Sequence, residues 1–84
     1  MNFHIADTFT DSLAKRTGEE QKAVKTKAFD LQLNPANPGM QFHRIYKAKN
    51  KNFCSVRVSI DLRIIVHRTS DSLLLCYVGH HGDA

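Results

Sequence analysis

The sequence has no apolar run approaching the roughly 18 residues that a membrane-spanning helix needs. Its N-terminus shows no basic stretch followed by an apolar one, because Asp7 and Asp11 interrupt the first segment. A membrane span and a secretory leader are therefore not expected, and the cytoplasm is the expected location. Cysteine is scarce. Cys54 and Cys76 are too few for a disulfide framework, and their spacing matches no metal motif, so both read as buried reduced thiols. The chain has no internal repeat, no glycine-rich phosphate loop and no low-complexity segment, which removes repeat arrays and phosphate-loop nucleotide enzymes. A carboxylate pair for acid–base work is missing as well, since Asp61, Asp71 and Asp83 stand isolated in turns.

Acid is scarce in one half only. Residues 1–38 are balanced, with Lys15, Arg16, Lys22, Lys25 and Lys27 against Asp7, Asp11, Glu19, Glu20 and Asp30. From residue 39 onward, Arg44, Lys47, Lys49, Lys51, Arg57, Arg63 and Arg68 face only Asp61, Asp71 and Asp83. The net charge of +4 is thus concentrated, and a basic half points to a polyanion, with nucleic acid first and an anionic protein second. With 84 residues, 42% hydrophobic and 24% charged, the chain reads as one small globular domain over residues 1–84.

Its C-terminal third carries three short β-branched and apolar runs, Phe53–Ser59, Leu62–Arg68 and Leu73–His81, separated by Ser59-Ile60-Asp61 and Thr69-Ser70-Asp71-Ser72. This pattern predicts an antiparallel meander. A three-residue first loop places Val58 opposite Leu62, Arg57 opposite Arg63 and Val56 opposite Ile64. One face then holds Val56, Val58, Leu62, Ile64 and Val66, and the other holds Ser55, Arg57, Arg63 and His67. A one-residue slip would invert every side chain, so the apolar face selects this register. Two arginines facing each other across a strand pair repel, a cost most readily carried where an anion binds between them; two solvated arginines are the alternative.

The last run is apolar at every position from Leu73 to Val78. Under the simplest pairing Val66 opposes Leu75 and Ile64 opposes Tyr77, so Leu73, Leu75 and Tyr77 are expected in the core. Leu74, Cys76 and Val78 then lie with Ile65 on the arginine face, an uncovered apolar strip that reads as a partner interface.

Upstream, Phe3 and Ile5 give a weak first strand, and Asp7 or Thr8 can cap a short helix through Lys15. Thr17, with Glu19 and Glu20 in the first turn, opens a longer helix to about Leu33, whose apolar edge is Val24, Ala28 and Leu31. Asn34-Pro35-Ala36-Asn37-Pro38-Gly39 stops it. Phe42, Arg44 and Tyr46 alternate with His43, Ile45 and Lys47, which allows an edge strand, and Lys47 to Asn52 reads as a basic loop. The expected fold class is α+β: an N-terminal helix hairpin packed on a twisted antiparallel sheet of three to four strands.

Five histidines invite a metal reading, but His80-His81 with His67 lacks the helical spacing of a metal site, and no metal or cofactor is expected. As acid–base groups they are better placed, because imidazole titrates near neutrality. RNA cleavage through its own 2′-hydroxyl needs a base, an acid and cations around the phosphorane. His67, His80 and His81 are the candidate proton carriers. Arg57 and Arg63, with Arg44, Lys47, Lys49 and Lys51 around them, are the candidate phosphate contacts. The plain alternative, a surface His67 and a polar His80-His81 terminus, competes with this reading.

The order of these segments resembles the RelE/ParE superfamily of bacterial toxins over the whole chain. Ser55-Val-Arg-Val58, Asp61-Leu-Arg-Ile-Ile65 and Val78-Gly-His-His-Gly-Asp-Ala84 carry the resemblance. It implies the toxin of a type II pair with an antitoxin partner, either a metal-independent endonuclease on mRNA at the ribosome or, as in ParE-like members, an inhibitor of DNA gyrase. By position Arg57 and Arg63 match the family's basic strand residues, His80 matches the histidine of its terminal Val-Gly-His element, and His81 falls where many members have a basic residue after that element. Ser55 stands where some nucleases carry lysine, and the family's C-terminal aromatic would fall just past Ala84. The sequence is also similar to an accessory segment at the start of UvrD-like helicases. The alternative is therefore a non-catalytic nucleic-acid- or protein-binding module, with the chain continuing into a larger one. An antitoxin, a second copy or that continuation would cover Leu74, Cys76 and Val78.

Overall fold

The computed structural model describes residues 2–34, 42–44 and 52–80. Chain order is β1 (Asn2–Ile5), α1 (Asp7–Ala14), α2 (Gly18–Leu33), β2 (His43–Arg44), β3 (Phe53–Arg57), β4 (Leu62–Arg68) and β5 (Ser72–His80). The strands form one sheet in the order β1-β5-β4-β3-β2, and the two helices pack on one of its faces, an α+β fold. The Pro35–Gly39 stop and the Lys47–Lys51 loop lie outside the described residues.

The pairing of β3 with β4 follows the alternation of their side chains. Arg57 opposes Arg63 and Val56 opposes Ile64. Val58 and Ser59 both donate to the Leu62 carbonyl at 2.9 and 3.2 Å, which closes the Ser59–Asp61 loop. Val56, Leu62, Ile64 and Val66 are buried against Val24 and Leu31 of α2 and Phe9 of α1. The sheet differs from the expected one in hand of pairing: β1 lies parallel to β5, with Phe3 beside Leu73. A parallel neighbour needs a crossover, and here the rest of the chain supplies it.

α2 begins as its sequence predicts. The Thr17 hydroxyl accepts from the Glu20 backbone N–H at 3.2 Å, and the Glu20 carboxylate accepts from the Thr17 N–H at 3.1 Å, a reciprocal capping box. The hydrogen bond from the Thr17 backbone holds the Glu20 carboxyl below its usual value, assisted by the Thr17 side chain and by the charges of Arg16 and His80. Because the folded value is the lower one, this contribution is complete above the ordinary carboxylate range and fades as pH falls through the lowered value. Thr17→Ala is expected to lower the urea-unfolding free energy at neutral pH by about 1 kcal/mol. That deficit belongs to the hydroxyl that accepts from the Glu20 N–H; the bond from the residue-17 backbone N–H to the Glu20 carboxylate survives the substitution. The pH-dependent part is read from Glu20→Ala, which should destabilise at neutral pH and by less in acid, where the parent's Glu20 is protonated as well. A Glu20→Ala deficit independent of pH would remove the carboxylate from the cap.

β5 departs from simple pairing at one point. Val66 opposes Leu75, but Ile65 opposes Tyr77, so Cys76 is an extra residue in a β-bulge. The bulge inverts the expected parity of everything after it. Tyr77, expected in the core, is 45% exposed, and Val78, expected at a partner interface, is fully buried at 0%. Helix α1 makes the bulge tolerable. Ala6 N–H donates to the Leu75 carbonyl at 2.9 Å. The Thr8 hydroxyl donates to the Cys76 carbonyl. The buried Ser12 hydroxyl accepts from Val78 N–H and donates to the Phe9 carbonyl, both at 2.9 Å. Thr8 thus serves the strand, and the N-cap position of α1 is Ala6, with no side-chain cap. Cys54 and Cys76 are both free and half-buried. Burial pushes the Cys76 thiol up.

Candidate functional site

Residues opposed across strands share a face, so the register assigns the sheet face away from the helices as three rows. The first row is Arg57, Arg63 and Gly79 on β3, β4 and β5. The second is His43, Ser55, Ile65 and Tyr77 on β2 to β5. The third is Phe53, His67, Leu74 and, on β1, His4.

The first row holds the strongest electrostatic feature. Arg57 is exposed, while Arg63 is only 8% exposed, and its buried Nε has no hydrogen-bond partner among the described residues. A buried N–H left without a partner is costly, and a second arginine directly opposite adds like-charge repulsion. An anion seated between the two guanidinium groups would offset both terms, and arginine's fork suits a phosphate. In the third row the Phe53 and His67 rings meet edge to face, centroids 5.1 Å apart at 76°.

Several solved structures with this arrangement of elements are toxins or come from toxin–antitoxin complexes. The chain matches a chain of the RelBE2 toxin–antitoxin complex of Mycobacterium tuberculosis with a TM-score of 0.74 at 18% identity, over 95% of this chain and 96% of that one. It matches a chain of the E. coli DinJ-YafQ complex with a TM-score of 0.76 at 18% identity, over 98% and 94%. A metal-bound toxin from Helicobacter pylori matches with a TM-score of 0.73 at 17% identity, over 99% and 97%. The chain has the fold of these RelE-like toxins. No family model matches the sequence, and neither does any curated protein sequence.

On this toxin-like fold the candidate site residues separate. Arg57 and Arg63 are adjacent, and His67 shares their face four residues along β4 from Arg63, roughly 13 Å. His80 does not share that face. It opposes buried Leu62, on the helix side, where its charge acts on Glu20 at the start of α2. Its place there follows from the bulge, which turned the end of β5 over. His81, Lys47, Lys49 and Lys51 lie outside the described residues, and of Arg44 only the backbone, paired with Cys54, is described. Arg68 faces the helix side, its guanidinium carbon 4.4 Å from the centroid of the Phe42 ring, a cation–π contact. Among the described residues no group of three or more His, Cys, Asp or Glu side chains is gathered to hold a metal, and no helix is long and apolar enough to cross a membrane.

The apolar strip read from the sequence is shorter than expected. Leu74 is half-buried beside His67, Cys76 is half-buried in the bulge, and Val78 belongs to the core. Tyr77 takes the exposed place instead, and sequence reasoning missed it. A usable signal was the phenol: a buried tyrosine must find a partner for its hydroxyl, whereas Val78 fills a core position with no such demand.

Proposed function

We propose that this chain is the toxin of a type II toxin–antitoxin pair and that its open sheet face binds and cleaves mRNA on the ribosome. The observation that carries the reading is the Arg57–Arg63 pair on one face, one arginine exposed and the other buried with an Nε that has no partner among the described residues. The shared fold and the basic second half of the chain support it. In this reading Arg57 and Arg63 clamp the scissile phosphate, and Lys47, Lys49 and Lys51 draw the RNA in. His67 or His81 moves the protons. The antitoxin keeps the toxin silent in the cytoplasm by covering the open face around Leu74 and Cys76.

One observation favours a second reading, a non-catalytic RNA-binding module. His67 and Arg63 stand two rows apart, so reaching one phosphate requires both side chains to lean along the strand. The deciding experiment incubates the purified chain with translating ribosomes and maps mRNA breaks by primer extension. The toxin reading expects breaks that survive EDTA, need ribosomes, and occur at a rate with an optimum near neutral pH, as imidazole acid–base chemistry requires. Ribosome binding without breaks selects the module, and inhibition of gyrase supercoiling with neither selects a gyrase target. Cleavage of free RNA abolished by EDTA would overturn the proposal.

A further inference from the structure

The bulge at Cys76 does more than change a register. It removes an aromatic ring from the core and stands it on the basic face. Tyr77 is 45% exposed, in the row next to Arg57 and Arg63. Two residues separate the rows along a strand, roughly 7 Å, about the step from a nucleotide's phosphate to its own base. On β5 the residue opposite Arg63 is Gly79, which has no side chain to stand between the ring and the guanidinium. Its neighbours along the row are half-buried Ile65 and buried Ser55, both uncharged. Single-stranded RNA is held in this way, by cations along the backbone and rings under the bases.

Building on the nucleic-acid reading above, we infer that Tyr77 is a nucleobase platform: the Arg57–Arg63 pair holds a phosphate and the Tyr77 ring stacks on the adjoining base. The bulge, and the Thr8 and Ser12 hydroxyls that satisfy it, are then positioning devices for the ring. Without the extra residue the ring would face the helices, and the arginines would have a phosphate contact with nothing beside it to hold a base.

The test compares a uridine hexamer with an abasic ribose-phosphate hexamer, each titrated into the parent chain, Tyr77→Phe, Tyr77→Leu and Tyr77→Ala at low salt. Stacking needs ring and base together, so removing the bases should weaken the parent and Tyr77→Phe by about tenfold. Tyr77→Leu, which keeps a strand-compatible side chain, and Tyr77→Ala should discriminate between the two oligomers by less than about twofold, while retaining the parent's salt dependence. If base removal weakens all four proteins by the same factor, the platform is overturned but RNA binding stands. A tyrosine that serves a protein partner gives that result. If neither hexamer binds the parent, the face holds no single-stranded RNA on its own and the platform is overturned, whereas the toxin reading stands or falls on the primer-extension experiment with ribosomes.

Discussion

Val78→Asp is expected to abolish the cooperative thermal transition seen by far-UV circular dichroism, while Tyr77→Asp, one residue away, keeps it. Val78 has 0% exposure and packs in the cluster formed by α1, α2 and the sheet. A carboxylate placed there is desolvated without a charge to pair with, at an effective cost of several kcal/mol. A domain of this size has little stability to lose, on the order of 5 kcal/mol. Tyr77 is exposed on the opposite face, where a carboxylate stays hydrated and beside two arginines. The simple meander register makes the opposite forecast, with Tyr77 inside and Val78 at the surface. A folded Val78→Asp beside an unfolded Tyr77→Asp would therefore restore that register and remove the bulge.

Why one strand was misread while two were not is a question of where the information lies. β3 and β4 alternate, so burying one face leaves a single register, and Arg57 opposite Arg63 follows. Thr17 and Glu20 signal the start of α2 within four residues, since a capping box is local. β5 is apolar at every position from Leu73 to Val78, so either face of it can be buried and periodicity is silent. What decides its parity comes from α1: the Thr8 hydroxyl on Cys76 is 68 residues away in sequence and the Ser12 hydroxyl on Val78 is 66 away. The parallel place of β1 is decided in the same non-local way, by pairing with Ser72 to Leu75. The site divided along the same line. The arginine pair was legible because it sits on the alternating strands. Tyr77 on the open face and His80 on the helix side were not, because both follow the bulge.

Arg63→Met is expected to raise stability slightly and weaken RNA binding, two effects that a purely structural arginine would not combine. Buried Arg63 has an Nε with no hydrogen-bond partner among the described residues and a like charge opposite, both unfavourable in the free protein. An apolar side chain of similar length removes both, and buried charges replaced in this way are commonly neutral or stabilising. The thermal midpoint should therefore stay level or rise by a few degrees. Each phosphate contact on a single strand contributes about 0.7 to the slope of log affinity against log salt. Arg63→Met should flatten that slope by about this amount and Arg57→Ala by a similar amount, the latter with stability changed by less than about 0.5 kcal/mol; because the two hold one phosphate jointly, the double variant should be no flatter than either single one. A double variant flatter by about 1.4 would give each arginine its own phosphate and remove the shared clamp. An Arg63→Met protein that melts well below the parent and binds RNA with an unchanged slope would make Arg63 a structural residue. The Arg57–Arg63 row would then carry no anion site, and the nuclease reading would lose the observation it stands on.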